Sequence, residues 1–387
     1  MTPELAIASA SIAAWIYLIV GRGGFWRAAE RDDREQPPLP RSWPAVTAVV
    51  PARDEAAVIA ESLGSLLRQD YPGPFTVILV DDQSRDATAE IARSCAARED
   101  SSALTVLPGR PLPPGWAGKI WAMKQGIDHA ESSADPPPFL LLTDADIAYA
   151  SDTLRTLMAR AQAGNLVLTS LLAKLRCDTW TEHALIPAFV FFFQMLYPFA
   201  WVNRPQSTTA AAAGGCMLVR RDALQAAGGI EAIRTALIDD CALGRQLKCV
   251  GPIWLGLTQR VRSLRPYPRL EDVRRMVSRS AYDQLRYSPA VLIGTILGLA
   301  LTFLAPPGLT LLASGAPQAL GIFAWVLMAC AFQPILRLYG ASPLWGVALP
   351  VIAAFYLAFT VDSAYQHLRG RGGLWKGRVQ ANISETR

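Results

Sequence analysis

The sequence predicts an α/β fold with a mostly parallel, Rossmann-like sheet in a domain that is flanked by transmembrane helices. Three observations lead to this prediction. Apolar runs with strand character alternate with helical spacing between residues 46 and 146, acidic residues follow three of the runs, and long uncharged segments lie near both ends. At 387 residues and 51% hydrophobic content, the chain can form one sizeable domain and further elements.

The uncharged segments predict membrane spans. Residues 5–21 carry no charge, residues 287–336 carry none, and after Arg337 the chain stays uncharged until Asp362. Because a span needs about 20 apolar residues, we predict one anchor in residues 1–22 and two or three membrane or re-entrant segments in residues 287–362. The chain is therefore interpreted as an integral membrane protein.

Basic residues predict how the chain is oriented. Residues 1–4 contain no Lys or Arg, which argues against a signal peptide. Four arginines follow the anchor, and by the positive-inside tendency they predict an outer N-terminus and a cytoplasmic domain: Arg22, Arg27, Arg31 and Arg34. The basic tail, residues 363–387, also favours the cytoplasm. Three C-terminal crossings would place it outside, so we expect that either residues 290–314 or residues 344–361 do not cross.

Composition excludes other classes of protein. The net charge of +5 lies largely beside apolar segments, where arginines attract anionic lipid, and no interleaving of basic and aromatic residues indicates nucleic acid. The six cysteines show no C-x-x-C spacing and the three histidines are far apart. This argues against zinc and fits a reducing cytosol.

A charged, proline-rich linker, residues 23–44, precedes the predicted domain, residues 45–286. The predicted strands are 46–50, 75–80, 104–107 (an edge strand), 139–142 and 216–219. Helices are predicted from Asp54 onward and over residues 86–98. Residues 139–142 are four large apolar residues in a row, which is typical of a strand buried on both faces.

Acidic residues follow three predicted strands. Asp54, Asp82 and Asp146 should share the carboxyl edge of the sheet, where open α/β sheets bind ligands. Each one alone more often caps a helix or a turn. Asp144 and Asp146 are hard oxygen ligands that suit Mg²⁺ or Mn²⁺, which substrate phosphates usually complete; the alternative is a turn cap beside a solvated carboxylate.

Two further positions at predicted helix starts could carry chemistry. Gly118 permits close backbone approach, and Lys119 could meet a phosphate together with the helix N-terminus, or could be an ordinary surface lysine. Asp239 and Asp240 precede a helix whose dipole stabilises their ionised forms. An ionised carboxylate in a cleft is also what a general base requires.

Three other segments leave alternatives open. Residues 184–202 are uncharged but contain Pro187 and Pro198, so they could form an interfacial helix, line a lipid acceptor site or form a buried core helix. The glycine-rich run 210–215 predicts close approach of backbone to a ligand or a neighbouring strand. The basic run 260–279 could hold phosphates or lie on the inner leaflet.

With these residues assembled, the chain resembles the family 2 inverting glycosyltransferases. The resemblance is carried by four ordered motifs, Val49-Val-Pro-Ala-Arg-Asp-Glu55, Val80-Asp-Asp-Gln-Ser-Arg-Asp86, Thr143-Asp-Ala-Asp146 and Ile238-Asp-Asp240. Within that family it is most similar to the bacterial hopene-associated group, which is also similar to ceramide glucosyltransferases. Three phrases carry this closer likeness: Gly115-Trp-Ala-Gly-Lys119, Leu264-Arg-Pro-Tyr267 and Trp375-Lys-Gly-Arg378.

The resemblance implies a GT-A fold and transfer of a sugar from a nucleotide-sugar, expected to be a UDP-sugar, to a hydroxyl of a membrane lipid, expected to be a hopanoid. It implies a location in the bacterial inner membrane with the catalytic domain in the cytoplasm. Asp240 would be the catalytic base, and Asp146 with Asp144 would bind Mg²⁺ or Mn²⁺. The implied donor-binding residues are Pro51, Ala52, Arg53, Glu55, Asp82, Lys119, Asp144 and Arg279. The implied acceptor region contains Gly214, Gly215, Asp239, Phe192 and Tyr197.

The sequence also departs from the family pattern. The Thr-Glu-Asp motif reads Ile-Asp-Asp and keeps its last acid, whereas the Gln-x-x-Arg-Trp motif keeps only Arg279. The missing Trp argues against processive polymer synthesis and leaves the role of Arg279 open. The alternatives are transfer to polyprenyl phosphate and a non-enzymatic lipid-binding scaffold. A transporter would need ionisable residues within its spans, and these have almost none.

Overall fold

The computed structural model describes residues 2–98, 103–369, 374–375 and 378–379. The chain divides into two compact units, each assembled from three pieces. We call one the helical unit, formed by Met1–Ala29, Cys177–Ala200 and Pro266–Gly373. The other, the sheet unit, is formed by Glu30–Arg176, Trp201–Arg265 and Leu374–Arg387. The domains that the sequence predicts are continuous segments, whereas each of these units is formed from pieces that alternate along the chain.

Eight strands in the described part of the sheet unit form one sheet. They are β1 (Val46–Ala52), β2 (Phe75–Asp81), β3 (Leu104–Pro108), β4 (Phe139–Leu142), β5 (Ile147–Tyr149), β6 (Leu168–Lys174), β7 (Met217–Arg220) and β8 (Ile253–Ser263). Their spatial order is β3-β2-β1-β4-β7-β6-β8-β5. The predicted edge position of the third strand is confirmed. Two short strands, β9 (Leu374–Trp375) and β10 (Arg378–Val379), pair antiparallel.

The central strands are buried because helices cover both faces of the sheet. Every residue of β1 and β4 is buried, and for β4 the unbroken apolar run predicts this. β1 pairs parallel with β2 and with β4, and Val46 is the register partner of both Phe75 and Phe139. The carboxyl ends of these strands therefore meet at one edge, and the prediction that Asp54, Asp82 and Asp146 follow strands that end there is confirmed.

The other half of the sheet is mixed. β7 pairs antiparallel with both β4 and β6, β8 runs parallel to β6, and β5 runs antiparallel to β8. The alternation of strands and helices along the chain predicted only the parallel half of the sheet. It carries no information on strands that pair across a long stretch of intervening sequence. The sheet-unit helices are Ile59–Leu67, Thr88–Arg98, Gly118–Glu131, Thr153–Ala163, Arg221–Ala226 and Asp239–Val250, with a 3₁₀ turn at Ile230–Ile233.

The helical unit consists of apolar helices and short amphipathic ones. Its helices are Pro3–Ile16, Trp180–Leu196, Leu270–Ser278, Ala281–Gln284, Pro289–Leu299, Ala305–Leu312, Ala316–Tyr339 and Trp345–Leu368. π turns at Tyr17–Gly21 and Ala300–Leu304 extend two of them, a 3₁₀ turn covers Phe25–Arg27, and the short helix Phe199–Val202 lies at the division between the units. In the described residues, five helices are long and apolar enough to cross a membrane: Pro3–Gly21, Trp180–Val202, Pro289–Leu312, Ala316–Tyr339 and Trp345–Leu368. Most of the predicted basic tail lies outside the described residues.

Prolines interrupt these helices less than the sequence suggested. The helix that begins at Trp180 continues through Pro187 to Leu196 and ends before Pro198. A capping box formed by Thr179 and Glu182 starts it four residues earlier than the predicted segment. Pro187 lies in the interior of this helix and has no N–H to donate to the His183 carbonyl four residues earlier, so the helix continues with one backbone hydrogen bond fewer.

Aromatic contacts join the apolar helices within the helical unit. Trp15 is fully buried, its ring centroid lies 5.5 Å from that of Phe303, and its Nε1 donates to the Thr302 carbonyl at 2.8 Å. That carbonyl belongs to a π turn, where the helical hydrogen-bond pattern is altered. The N-terminal segment is thus packed as part of the helical unit.

Candidate active site

The turns after β1 and β2 interlock. Asp54 and Gln83 both have positive φ, 51° and 56°, a conformation that is uncommon outside glycine and that Asp tolerates better than most residues. The Asp54 N–H donates to Ser84 Oγ at 3.0 Å, and the Arg85 N–H donates back to Asp54 Oδ1 at 2.7 Å. Each strand end therefore fixes the conformation of the other.

A buried ion pair lies beneath these turns. Pro51 and Ala52 end β1 and are buried. The guanidinium of Arg53 donates to the backbone carbonyls of Asp82 and Gln83 and lies 3.6 Å from the Asp82 carboxylate, which is fully buried. These contacts hold the two turns together, and the predicted donor-binding roles of these residues stay predictions.

Lys119 joins two of the predicted acids. Its Nζ lies 2.7 Å from Asp144 Oδ1 and 2.9 Å from Asp239 Oδ2, and it is the second residue of the helix Gly118–Glu131. Burial by itself would lower the pKa of Lys119, but the two carboxylates outweigh burial and raise that pKa well above its ordinary value. Lys119 is therefore a fixed cation. Asp144, which follows β4, and Asp239, the first residue of the helix Asp239–Val250, therefore share this cation.

Asp240 is held by two backbone amides. Its Oδ2 accepts from the Gly214 N–H at 2.9 Å and its Oδ1 from the Cys241 N–H at 2.7 Å. A Cβ on Gly214 would lie 3.3 Å from Lys119 Nζ and 3.5 Å from Asp240 Oδ2, so glycine permits this approach. Burial, and after it the charge of Asp239, raise the pKa of Asp240 to about 6 against the lowering effects of Lys119 and both amides.

Arg265 contacts two further acids and is not among the site residues that the sequence predicts. It follows β8, its Nε lies 2.8 Å from Asp146 Oδ2, and its Nη2 lies 2.9 Å from Glu55 Oε1. The backbone N–H of Glu55 donates to Thr88 Oγ1 at 2.8 Å, which fixes the start of that turn. The sequence predicts a phosphate-binding or membrane-surface role for the basic run 260–279 as a whole, and within it the family resemblance singles out only Arg279.

Hydrogen bonds also fix the backbone that leads to Asp144. Thr143 Oγ1 donates to the Gly215 carbonyl at 2.9 Å, and Tyr149 OH donates to Thr143 Oγ1 at 2.6 Å. A Cβ on Gly215 would lie 3.1 Å from Ile147 Cδ1, so glycine keeps the two segments close. Gly214, Gly215 and Asp239 thus lie together with Asp144 and Asp240 in the sheet unit.

The remaining predicted site residues belong to the helical unit. Phe192 packs against Tyr356 with ring centroids 4.9 Å apart, and Tyr197 OH donates to Gln284 Oε1 at 2.8 Å. Arg279 follows the helix Leu270–Ser278 as its C-cap. The roles of these three residues toward acceptor and donor stay predictions.

The two carboxylates after β4 fit a divalent cation of the predicted kind. Within the described ranges no group of three His, Cys, Asp or Glu side chains is placed to hold a metal by itself. Mg²⁺ and Mn²⁺ sites at phosphate substrates usually need only one or two carboxylates, because water and phosphate oxygens supply the other ligands. Asp144 and Asp146 meet that need, and the cations Lys119 and Arg265 neutralise them in this structure.

Comparison with known proteins identifies the domain. Residues 47–228 match the family model described as Glycosyl transferase family 2. The chain contains a family 2 glycosyltransferase domain. The matched range lies in the sheet unit except for residues 177–200, which belong to the helical unit. The matched range contains the first three predicted motifs, while Asp240 and Arg265 lie beyond it.

Two relatives by sequence and one solved structure are similar to this chain. The 4,4'-diaponeurosporenoate glycosyltransferase of Staphylococcus aureus is 33% identical over 30% of this chain and 28% of its own length. The beta-monoglucosyldiacylglycerol synthase of Trichormus variabilis is 28% identical over 49% of this chain and 38% of its own length. The matches thus span well under half of either relative. A mannosyltransferase structure from Pyrobaculum calidifontis, a complex with GDP-Man and Mn²⁺, is 18% identical with a TM-score of 0.55, over 94% of this chain and 99% of that one. This likeness confirms the GT-A fold.

Proposed function

We propose that the protein transfers a sugar from a nucleotide-sugar to a hydroxyl group of a membrane lipid, with inversion at the anomeric carbon. The observation that carries this proposal is the arrangement around Lys119, which brings the acid after β4 together with the pair Asp239 and Asp240. A glycosyltransferase needs a base for the acceptor beside a cationic site for the donor. This cluster supplies both.

Asp240 would act as the general base. Each of its oxygens accepts one backbone N–H and keeps lone-pair capacity for a proton. It removes the proton of the acceptor hydroxyl as that oxygen attacks the anomeric carbon, and the bond from this carbon to the diphosphate oxygen breaks. A pKa of about 6 leaves Asp240 mostly ionised at neutral pH, yet basic enough to take up a proton.

The leaving diphosphate requires positive charge. Lys119 supplies a fixed cation that stays charged across the physiological range. A divalent cation held by Asp146 and Asp144, when bound, would neutralise the charge that develops on the diphosphate. Arg279, the one residue of the Gln-x-x-Arg-Trp motif that this sequence keeps, is proposed as a further donor contact.

The nature of donor and acceptor is also part of the proposal. We propose a UDP-sugar, with GDP-sugars to be compared because the P. calidifontis neighbour binds GDP-Man. Two observations support the lipid acceptor. The part of the chain that the structure describes has five helices long and apolar enough to cross a membrane, and the names of two relatives specify lipid products or substrates. Hopanoid is the proposed lipid, and the bacterial inner membrane, with the sheet unit in the cytoplasm, is the proposed location.

A donor-hydrolysis and transfer assay tests this function. Detergent-purified protein is incubated with a panel of UDP- and GDP-sugars, with Mn²⁺ or with EDTA, and release of the nucleotide diphosphate is measured. We expect release that depends on Mn²⁺ and increases with a hopanoid polyol. No release from any donor, with or without lipid, would contradict the proposal. A product whose sugar is released by mild acid would instead indicate transfer to a polyprenyl phosphate.

Replacing Asp146 should weaken binding of the donor nucleotide and leave the general base Asp240 in place. In Asp146→Ala we expect Mn²⁺-dependent binding of UDP or GDP to weaken at least tenfold, because one of two carboxylates available to the cation is lost. Calorimetry with and without Mn²⁺ measures this. Asp152→Ala, which removes an acid paired with Arg260, is the control. Equal nucleotide affinity in Asp146→Ala and the parent protein would exclude Asp146 as a metal ligand.

A further inference from the structure

We propose that Arg265 binds the donor diphosphate, and that it does so by exchanging the Asp146 carboxylate for phosphate oxygens when a divalent cation binds. This inference rests on the proposed function and adds a donor-binding residue to it. In this structure the guanidinium bridges Asp146, at 2.8 Å, and Glu55, at 2.9 Å. Its side chain is 39% exposed, whereas both carboxylates are 12% exposed.

Backbone pairing places residue 265 next to Asp146, independently of the conformation of the Arg265 side chain. β8 pairs antiparallel with β5, and Ser263 is the register partner of Ile147, the residue after Asp146. The Leu264 N–H continues this pairing by donating to the Asp146 carbonyl at 2.8 Å. The side chain of Arg265 can therefore change partner without any movement of the strands.

The chemistry of the site favours such an exchange. A cation on Asp146 competes with Arg265 for the same carboxylate, and substrate phosphates complete the coordination of Mg²⁺ or Mn²⁺. Those phosphates would lie next to Asp146 and therefore within reach of Arg265. The planar guanidinium binds carboxylate and phosphate with the same two-point geometry, so one anion can replace the other.

This arrangement predicts two effects of opposite sign for Arg265→Gln. Without nucleotide, loss of the competing guanidinium should strengthen Mn²⁺ binding about threefold or more, since Asp146 and Glu55 lose their cation. With saturating Mn²⁺, loss of a charge-assisted contact should weaken binding of UDP or GDP about tenfold or more. A residue that only supports the fold would not produce opposite changes.

The experiment uses the full chain in detergent. Free Mn²⁺ is followed by electron paramagnetic resonance without nucleotide, and UDP and GDP binding are measured by calorimetry at saturating Mn²⁺. Arg262→Gln is the matched control, because Arg262 lies on β8, is 64% exposed and pairs with Glu61 outside the cluster; we expect it to change neither affinity. Arg265→Lys keeps a charge without the two-point geometry and should give intermediate nucleotide affinity.

The outcomes separate this inference from the proposed function. Unchanged nucleotide affinity in Arg265→Gln, or weaker binding of both Mn²⁺ and nucleotide, would overturn the assignment of Arg265. If the parent protein transfers sugar in the same preparations, the proposed function stands in either case. If the parent protein binds neither UDP nor GDP with Mn²⁺, the inference and the proposed function both fail.

Discussion

Asp240→Asn is expected to lower the rate of sugar transfer by about 10²–10⁴-fold while nucleotide binding stays within a few-fold of the parent value. That range is the usual contribution of a positioned general base, and asparagine cannot take up the acceptor proton. The loss should appear in kcat, because the donor does not depend on Asp240 for its binding. Initial rates with a lipid acceptor, and calorimetry with UDP or GDP and Mn²⁺, measure the two quantities.

The variant also tests the local structure. Asparagine has one acceptor oxygen, whereas Asp240 accepts from both Gly214 and Cys241, so one amide loses its partner at a cost of about 1–3 kcal/mol. Thermal unfolding should detect that change. Asp222→Asn, an exposed acid paired with Arg220, is the matched control and should retain parental activity. Turnover of Asp240→Asn close to that of the control would remove Asp240 from the mechanism.

Local pattern was enough to predict the parallel half of the sheet. β1, β2 and β4 are largely apolar runs of strand length. β2 ends in Asp81, and Asp54 and Asp144 follow β1 and β4 closely, so each strand end can be recognised without knowledge of the rest of the chain. The same holds for Lys119 and Asp240, which lie at helix starts where they were expected. Helix termini are marked by polar and charged residues that lie close together in the sequence, so they can be predicted locally.

Arg265 shows why the rest could not be predicted. Its partners Asp146 and Glu55 lie 119 and 210 residues away in the chain. They meet because β8 returns antiparallel to β5, and no feature of the sequence between them specifies that pairing. The interleaving of the two units escaped prediction for the same reason, since residues 177–200 join the apolar helices through packing rather than through adjacency.

The acid limb of the pH–rate profile should follow Asp240. Because the base must be ionised, kcat/KM is expected to rise with pH through about 6 and to level off above it. Lys119 lowers the pKa of Asp240 by its charge. Its removal in Lys119→Met should therefore move this limb to higher pH.

The same variant should lose activity at neutral pH for two reasons. Less of Asp240 is ionised, and a fixed cation that stabilises the leaving diphosphate is missing, a kind of loss that usually costs about 10²–10³-fold in kcat. Raising the pH restores the ionised fraction of Asp240 but not the missing cation. Lys124→Met removes a lysine of the same helix that pairs with Asp128 and Glu231, and it should leave both the rate and the limb unchanged. The position of the acid limb decides the role of Lys119, provided that the variant unfolds cooperatively. If the limb of Lys119→Met coincides with that of Lys124→Met, Lys119 does not act on the base.

If the limb shifts and the rate does not recover fully at high pH, Lys119 acts on both the base and the donor.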